Sequence, residues 1–265
     1  IRDKKGGIEP MLIPKKTDPR PAPNYNPNKL PILFYGRPGI GKTTLVSQCD
    51  PLILSTEMGA DFVGATYKNI NTWQELTQYT DAFFKEAGNH GFQTLVIDSI
   101  DRAFDLACDF VASRMGAKRI NQKGRAGWAA VNAEFTSFLT DLLARAANAD
   151  GGFDCGLIFI SHEKSSFYTD DGRRLQHDEK WDGPLTEKAE PMISHRAKDI
   201  VCSSAYVIAR AYMGLDGQRR LRSQPNKNTV AKDRTNVLPD EIPLSWEEFC
   251  KPLREAQRVA NAKQG

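Results

Sequence analysis

Short apolar runs alternate with amphipathic segments along the middle of the chain, and this alternation predicts its secondary structure. The apolar runs predict four short buried strands, at residues 31–36, 51–56, 94–99 and 156–161. Between them, apolar residues recur at helical spacing over residues 100–115 and about 127–148, while Thr72 and Glu75 form a capping-box pattern that begins another helix. Strands alternating with helices predict an α/β fold with a mostly parallel central sheet flanked by helices.

Beyond residue 200 the pattern changes to consecutive strands. The segments AYVIARAYM, QRRLRSQ and NTVAKDR predict antiparallel strands at the C-terminal side, with a hairpin turn at Asp216 and Gly217. Residues 246–265 predict a C-terminal helix. Residues 1–29 are rich in Pro, Lys and Asn and predict a disordered or loosely docked tail, which is either plainly solvated or helps to hold nucleic acid through its positive charge. The predicted core is therefore residues 30–245.

Composition narrows the class of protein without choosing a function. The 265 residues include 36 Lys and Arg against 33 Asp and Glu, a net charge of +3, which is ordinary for a soluble globular protein and excludes a collagen, a coiled coil or a wholly disordered chain. No apolar run approaches the roughly 20 residues that a membrane span needs. The five cysteines are widely spaced without a CxxC pair, so we expect buried thiols in a reducing, cytoplasmic compartment rather than disulfides or a zinc site.

A phosphate-binding motif carries the first chemical signal. The segment GRPGIGKT fits the pattern GxxxxGK[ST] and lies between a predicted strand and a predicted helix, which is the context that the motif requires. Its glycines let backbone amides converge on phosphate oxygens, Lys42 is expected to reach the β- and γ-phosphates, and the Thr43 hydroxyl is expected to bind Mg²⁺. The predicted nucleotide-binding residues are Gly36, Arg37, Pro38, Gly39, Ile40, Gly41, Lys42, Thr43 and Thr44.

Polar residues at the ends of three other predicted strands extend this site. Asp98 ends the strand TLVID and is expected to hold the Mg²⁺ shell beside Thr43. Ser99 follows it and either caps the next helix or binds metal waters. Because this position, where many P-loop ATPases place the general base, holds a serine, the general base must lie elsewhere. Glu57 ends a strand that we expect next to the phosphate-loop strand, where it would orient and deprotonate water. His162 is predicted to sense the γ-phosphate. The alternative for Glu57 is a surface carboxylate, and the alternative for His162 is a merely structural strand-end histidine.

The order of these motifs resembles the RecA-like P-loop ATPase core, from about residue 30 to 245. GRPGIGKTT resembles its Walker A segment, VIDS its Walker B segment, and STE its catalytic glutamate at Glu57. IFISH resembles IFINQ, so that His162 stands where that family has its switch glutamine. The segment KDR resembles the basic pair that RecA-like rings and filaments insert into a neighbour's ATP site. The resemblance implies catalytic roles in trans for Lys232 and Arg234, and a homo-oligomer; the alternative is a solvated strand end.

The combination of GRPGIGKTT, VIDSID and AKDRT is most similar to the phage-encoded nucleotide-binding family that includes the minimal RecA-like single-strand annealing proteins of the Sak group. That resemblance implies Mg²⁺- and ATP-dependent hydrolysis stimulated by single-stranded DNA, and annealing or strand exchange aided by a single-strand binding protein in the host cytoplasm. Two basic loops, residues 114–127 and 163–185, stand where RecA grips DNA. Their candidate DNA-binding residues are Lys118, Arg119, Lys123 and Arg125 in the first loop, and Lys164, Arg173 and Arg174 in the second.

Three functions stay open at this point. The second loop is also acidic, so it is either a DNA contact or an exposed lid. Besides a DNA-recombination ATPase, the sequence allows a RecA-like ring motor of the helicase type, which would translocate on DNA. It also allows an ATP-dependent protein-interaction switch that does not bind DNA.

Overall fold

A computed structural model describes residues 23–57, 61, 63–147, 153–175, 179–193 and 195–262. The strands are β1 Pro31–Gly36, β2 Leu52–Ser55, β3 Thr66–Asn69, β4 Thr94–Asp98, β5 Gly156–Thr169, β6 Leu185–Pro191, β7 Val207–Met213, β8 Arg219–Arg222, β9 Lys232–Asp233 and β10 Glu241–Pro243. The helices are α1 Lys42–Ser47, α2 Trp73–Lys85, α3 Ile100–Arg114, α4 Gly124–Ala146, α5 His195–Ser204 and α6 Trp246–Ala262. Short 3₁₀ turns lie at Pro27–Lys29 and Ile120–Lys123.

One central sheet organises these elements, in the strand order β10-β8-β7-β1-β5-β4-β2-β3. All neighbouring pairs from β7 to β3 are parallel, and β8 and β10 add antiparallel strands at the C-terminal side. Helices α2 to α5 cover one face and build one apolar core, whereas α1 and α6 cover the other face and build a second. This arrangement confirms the predicted α/β fold class.

The position of β2 differs from the prediction. We expected the strand before Glu57 to lie next to β1, but β5 and β4 lie between them, and β2 pairs with β4 and β3 instead. The local apolar pattern marks each buried strand, but it does not encode which strands become neighbours, because any parallel crossover of sufficient length is compatible with it. The carboxyl ends of β1, β2 and β4 still lie at one edge of the sheet, level with the middle of β5.

The predicted second loop is largely a β-hairpin arm. Strand β5 continues past the predicted end at residue 161 to Thr169 and pairs antiparallel with β6, from Glu163 opposite Pro191 to Thr169 opposite Leu185. We call residues 163–191 the arm. The segment HEKSSFYT is polar on both faces, so it lacks the alternation that marks a half-buried strand.

Other elements were missed or shortened for similar reasons. The four residues of strand β3, with the sequence TYKN, are all exposed at the sheet edge, and helix α5 was not predicted. The predicted strand NTVAKDR reduces to β9, two residues that pair with the first half of β7. The β7–β8 hairpin and its turn at Asp216 and Gly217 are as predicted.

The first described residues contact α6, and the predicted cap of α2 is formed. The capping box of α2 is formed as predicted, with the Thr72 hydroxyl accepting from the Glu75 amide at 3.1 Å. Residues 1–22 of the predicted tail lie outside the described residues. Further along, the backbone N–H of Tyr25 donates to Oε1 of Gln257 on α6 at 2.7 Å, and Pro27 is buried. None of the helices in the described parts of the chain combines the length and apolar content that a bilayer crossing requires.

Candidate active site

The phosphate loop joins β1 to α1 at the carboxyl edge of the sheet. Its first glycine ends β1 against β7, where a methyl group on Gly36 would lie 2.3 Å from the carbonyl oxygen of Ala211, so no larger residue fits. Gly41 has φ +104°, which is strongly disfavoured for residues with a side chain. Such turns let successive amides face one anion, and the loop is therefore built as a phosphate cradle.

Lys42 lies inside this loop. Its ammonium donates to the carbonyl oxygens of Gly36 at 2.8 Å and Arg37 at 3.0 Å, and the residue is only 7% exposed. Burial lowers the pKa of Lys42 below its ordinary value, and the attraction of Asp98 opposes that shift. The ammonium is thus held where the motif requires a phosphate ligand. The remaining motif residues include Ile40, which is buried in the apolar core, and Pro38 and Thr44 on the loop and the first turn of α1.

Thr43 and Asp98 meet as predicted. The Thr43 hydroxyl donates to Oδ2 of Asp98 at 2.6 Å, across 55 residues of sequence. Asp98 ends β4 and is 9% exposed, and burial raises the pKa of its carboxyl group although the hydrogen bond from Thr43 works against the shift. A hydroxyl and a carboxylate are hard oxygen ligands of the kind that Mg²⁺ prefers, so the side chains fit this ion. When bound, Mg²⁺ would neutralise phosphate charge.

Glu57 lies in a cluster of polar side chains beside this pair. The Ser99 hydroxyl, which also caps α3, donates to Oε1 of Glu57. Nδ1 of His162 lies 3.5 Å from the same carboxylate oxygen. Although β2 is not the neighbour of β1, the cluster therefore joins the ends of β2 and β4 to the middle of β5. The Ser99 hydroxyl thus fixes the Glu57 carboxylate, and His162 lies beside it.

Asp101, the second residue of α3, is the site residue that the sequence analysis missed. Its carboxylate accepts from the backbone N–H of His162 at 3.0 Å, and Nδ1 of His162 lies 2.7 Å from its Oδ2. An ionised carboxylate can only accept, so Nδ1 carries the proton. The signal was present in the segment VIDSID, where a second acid follows Asp98 by three residues and so lies near it at the start of α3.

This contact shifts the pKa values of both partners. The hydrogen bond to Asp101 raises the pKa of His162 above its ordinary value, and partial burial opposes the shift only in part. Burial alone raises the pKa of Asp101, but the hydrogen bonds from His162 outweigh it and the net shift is downward. The ligand atoms of Glu57, Asp101 and His162 all lie within 4.8 Å of one another, so these three side chains could also share a cation.

A buried acid after His162 connects three elements. Glu163 is 4% exposed at its side chain and accepts from Nε and Nη2 of Arg210 on β7, at 2.7 and 3.0 Å. The same carboxylate lies 3.7 Å from Nε of Arg37, the phosphate-loop residue whose side chain is otherwise exposed. The phosphate loop is thereby linked to β5 and β7.

The seven predicted DNA-binding residues fall into two different environments. Lys118, Arg119 and Arg125 are exposed and Lys123 is half-buried, all around the 3₁₀ turn before α4. On the arm, by contrast, the side chains face acids. Arg174 lies 3.3 Å from Glu190 and Lys164 lies 4.0 Å from it, while Arg173 pairs with Glu179.

The predicted pair that acts in trans lies far from the chain's own phosphate loop. Asp233 pairs with Val207, which pairs with Ile32 near the start of β1, whereas the phosphate loop follows the end of β1. Lys232 donates to the carbonyl oxygens of Cys202 at 2.7 Å and Ser203 at 3.0 Å. The guanidinium of Arg234 lies over the Tyr206 ring, 5.6 Å from its centroid.

Comparisons with known proteins place this site in a family. No curated protein matches the chain. Among solved structures, an ATPase from the type III secretion system of pathogenic bacteria is similar over 88% of this chain and 64% of that one, with 16% identity and a TM-score of 0.44. Residues 28–235 match the family model described as AAA domain. Because the match spans most of the chain, the protein belongs to the AAA domain family and has an ATPase domain of the AAA/P-loop type.

Proposed function

We propose that this protein is a RecA-like ATPase that hydrolyses Mg·ATP while bound to single-stranded DNA, as a phage-encoded recombination protein that anneals or exchanges strands. The observation that carries the DNA part is an exposed basic segment, residues 116–128, whose cations have no acidic partners among the described residues. The hydrolytic part is supported by the phosphate loop, the pair Thr43 and Asp98, and the tethered Glu57.

Hydrolysis needs few chemical groups beyond these. Lys42 and the loop amides hold the phosphates, and Thr43 and Asp98 hold the metal. Glu57 accepts a proton from the attacking water, while the Ser99 hydroxyl fixes the orientation of its carboxylate. His162, anchored by Asp101, senses the γ-phosphate and passes its state to the arm, because β5 runs without a break from His162 into the arm.

The basic segment has the chemistry of a single-strand site. Residues 116–128 contain four cations and no acid. Oε1 of Gln122 accepts from the amides of Lys118 and Arg119 at 3.0 and 3.3 Å, which holds the turn. Trp128 is 42% exposed and follows Arg125 by one turn of α4. Cations contact the phosphates of single strands and an exposed indole can stack on a base, so this segment supplies both kinds of contact.

The arm supplies much weaker support for DNA binding. It contains eight acidic and five basic residues, a net charge of −3. Its candidate cations face acids, and Glu190, which Lys164 and Arg174 approach, is 1% exposed at its side chain. We therefore assign the main DNA contact to Lys118, Arg119, Lys123 and Arg125, and a minor one to Lys164, Arg173 and Arg174.

A second function is favoured by the arm itself. Phe167 and Leu185 are each 44% exposed on the arm among acidic residues. Exposed apolar side chains in an acidic surface are typical of a protein contact. The alternative is therefore an ATP-dependent switch that binds a protein through the arm and ignores DNA.

ATP hydrolysis with and without single-stranded DNA decides between these functions. We expect stimulation by DNA at low salt that fades as salt rises, because contacts to phosphates release counterions. Lys42→Ala controls for contaminating ATPases and should hydrolyse little or no ATP. Hydrolysis by the wild type that is indifferent to DNA at every salt concentration would retain the ATP site and favour the protein switch.

The cellular setting belongs to the same proposal. All five cysteines are free thiols, as expected in a reducing compartment such as the cytoplasm of a bacterial host. A single-strand binding protein is the partner that the annealing function implies. A homo-oligomer, ring or filament, is the assembly in which Lys232 and Arg234 would complete a neighbour's ATP site.

A further inference from the structure

Strand β8 carries three arginines in two different environments. Arg220 pairs with Asp216 and lies 3.5 Å from Glu241, and Arg222 also pairs with Glu241. Arg219 is exposed, and within the described part of the chain its guanidinium has no carboxylate partner. One cation of the three is therefore not neutralised by any carboxylate that the structure describes.

The sheet places Arg219 at the same edge as the phosphate loop. Arg219 pairs with Met213 at the carboxyl end of β7, and two residues earlier on β7, Ala211 pairs with Gly36 at the end of β1. Leu221, two residues further along β8, is buried in the core beneath α1. Because side chains two apart on a strand share a face, Arg219 lies on the face that α1 covers.

The guanidinium is close to the loop itself. A methyl group on Gly41 would lie 3.3 Å from Nη1 of Arg219 and 3.2 Å from Cδ2 of Leu244. The backbone of Arg219 is fixed there, because its carbonyl oxygen accepts from the amide of Leu244 at 3.0 Å. An unneutralised cation is thus held against the glycine that precedes Lys42.

We propose that Arg219 binds the phosphate chain of the nucleotide held by its own phosphate loop. Guanidinium groups bind phosphates through paired, charge-assisted hydrogen bonds, and the neighbouring Arg220 and Arg222 are already occupied by acids. This inference rests on the proposed nucleotide binding but not on any contact with DNA. Arg219 differs from Lys232 and Arg234 because it acts within one subunit.

Binding of Mg·ADP to full-length variants, measured by calorimetry, tests this role. Arg219→Gln should weaken binding about tenfold to hundredfold, the range expected for losing a hydrogen bond to a charged group. Arg219→Lys, which keeps the charge but not the paired donors, should recover part of the affinity. Arg220→Gln is the matched control on the same strand and should bind within about twofold of the wild type.

The possible outcomes distinguish a failure of the role proposed for Arg219 from a failure of the proposed nucleotide site. If Arg219→Gln binds ADP as tightly as Arg220→Gln, Arg219 has no role and the phosphate loop stands. If the wild type does not bind ADP, or Lys42→Ala binds it equally well, the nucleotide site itself is wrong and the inference falls with it. If Arg219→Gln does not fold, Arg219→Lys decides, since affinity equal to that of the wild type would overturn the proposal.

Discussion

At the residue scale, Ser99 connects Asp98, the proposed metal ligand, with Glu57, the proposed general base. Ser99 follows Asp98 directly, and its hydroxyl donates to Glu57 from another strand. The sequence position where many P-loop ATPases place an acid is therefore used here to orient an acid from elsewhere. This geometry predicts that the Glu57 carboxylate acts in catalysis and contributes little to nucleotide binding.

Glu57→Gln tests that division of roles. The amide keeps the size of the side chain but cannot accept a proton from water, so we expect ATP binding close to that of the wild type and hydrolysis slower by about 10² to 10⁴-fold. Nucleotide affinity and steady-state turnover are the two measurements. Glu86→Gln, at an exposed position at the end of α2, is the control and should change neither. Unchanged turnover in Glu57→Gln would place the base elsewhere.

The contact between His162 and Asp101 predicts a pH dependence with a definite sign. The pKa of His162 is raised in the folded protein, so the stabilisation by its protonated form is complete below the ordinary value of about 6.5 and is lost as pH rises through the raised pKa. The pKa of Asp101 is lowered, so its contribution is present above about 3.9 and is lost as pH falls through the lowered pKa.

Asp101→Asn should remove the cause of the His162 shift. Without the carboxylate, we expect the pKa of His162 to fall toward its ordinary value, followed by NMR titration of the imidazole proton signals. Comparison with His162→Gln assigns the resonance. Equal pKa values for His162 in the wild type and Asp101→Asn would contradict the assigned contact.

At the element scale, the basic segment and the arm should respond differently to the loss of charge. Replacing Lys118, Arg119, Lys123 and Arg125 by Gln should weaken binding to single-stranded DNA and reduce the slope of log K against log salt by roughly 3, for four lost phosphate contacts. The same change at Lys164, Arg173 and Arg174 is the matched control. It should change the salt slope little but lower the melting temperature, because Glu190 would remain buried with fewer partners.

Either of two results would contradict that assignment. Arm variants that lose the larger part of the salt slope would make the arm the principal DNA contact. Equal loss from both sets would mean that DNA runs across both elements. The measurement is fluorescence anisotropy of a labelled oligonucleotide over a range of salt concentrations.

Elements with a strong apolar pattern were predictable, and elements without one were not. The four buried strands and helices α2, α3 and α4 follow from runs and spacings that tertiary packing then satisfies. The arm and β3 are polar on both faces, so their pairing depends on backbone hydrogen bonds that leave no pattern in the sequence. The sequence identifies the cations of the arm but not their acidic partners. Glu190 lies across the hairpin from them, and Glu179 lies beyond the turn.

At the scale of the whole molecule, motif chemistry was predictable and strand order was not. Thr43 follows the carboxyl end of β1 and Asp98 ends β4, and the two meet because these strands are parallel. A sequence can reveal such positions at strand ends. Glu57 reaches the site although β2 lies two strands further away than expected. Asp101 was missed because, of the two acids in the segment VIDSID, only Asp98 stands at a motif position.

The molecule also fixes where Lys232 and Arg234 can act. They lie beside the amino end of β7, while the phosphate loop follows the carboxyl end of β1. Six residues of strand separate these ends by roughly 17–20 Å, which is further than an arginine or lysine side chain reaches. Within one subunit they do not reach the phosphates, so a catalytic role requires a second subunit.

Mixed oligomers test that requirement. Lys42→Ala subunits lack a working phosphate loop but keep Arg234, and Arg234→Ala subunits keep the loop but lack the guanidinium. If Arg234 acts across the interface, each variant alone should be nearly inactive, whereas mixing them should restore part of the ATPase activity, because some junctions then pair an intact loop with an intact arginine. Mixing Arg234→Ala with the double variant Lys42→Ala/Arg234→Ala offers no such junction and should restore nothing. Full activity of Arg234→Ala alone, or no rescue at any ratio, would leave Arg234 with the local role that its contact with Tyr206 already describes.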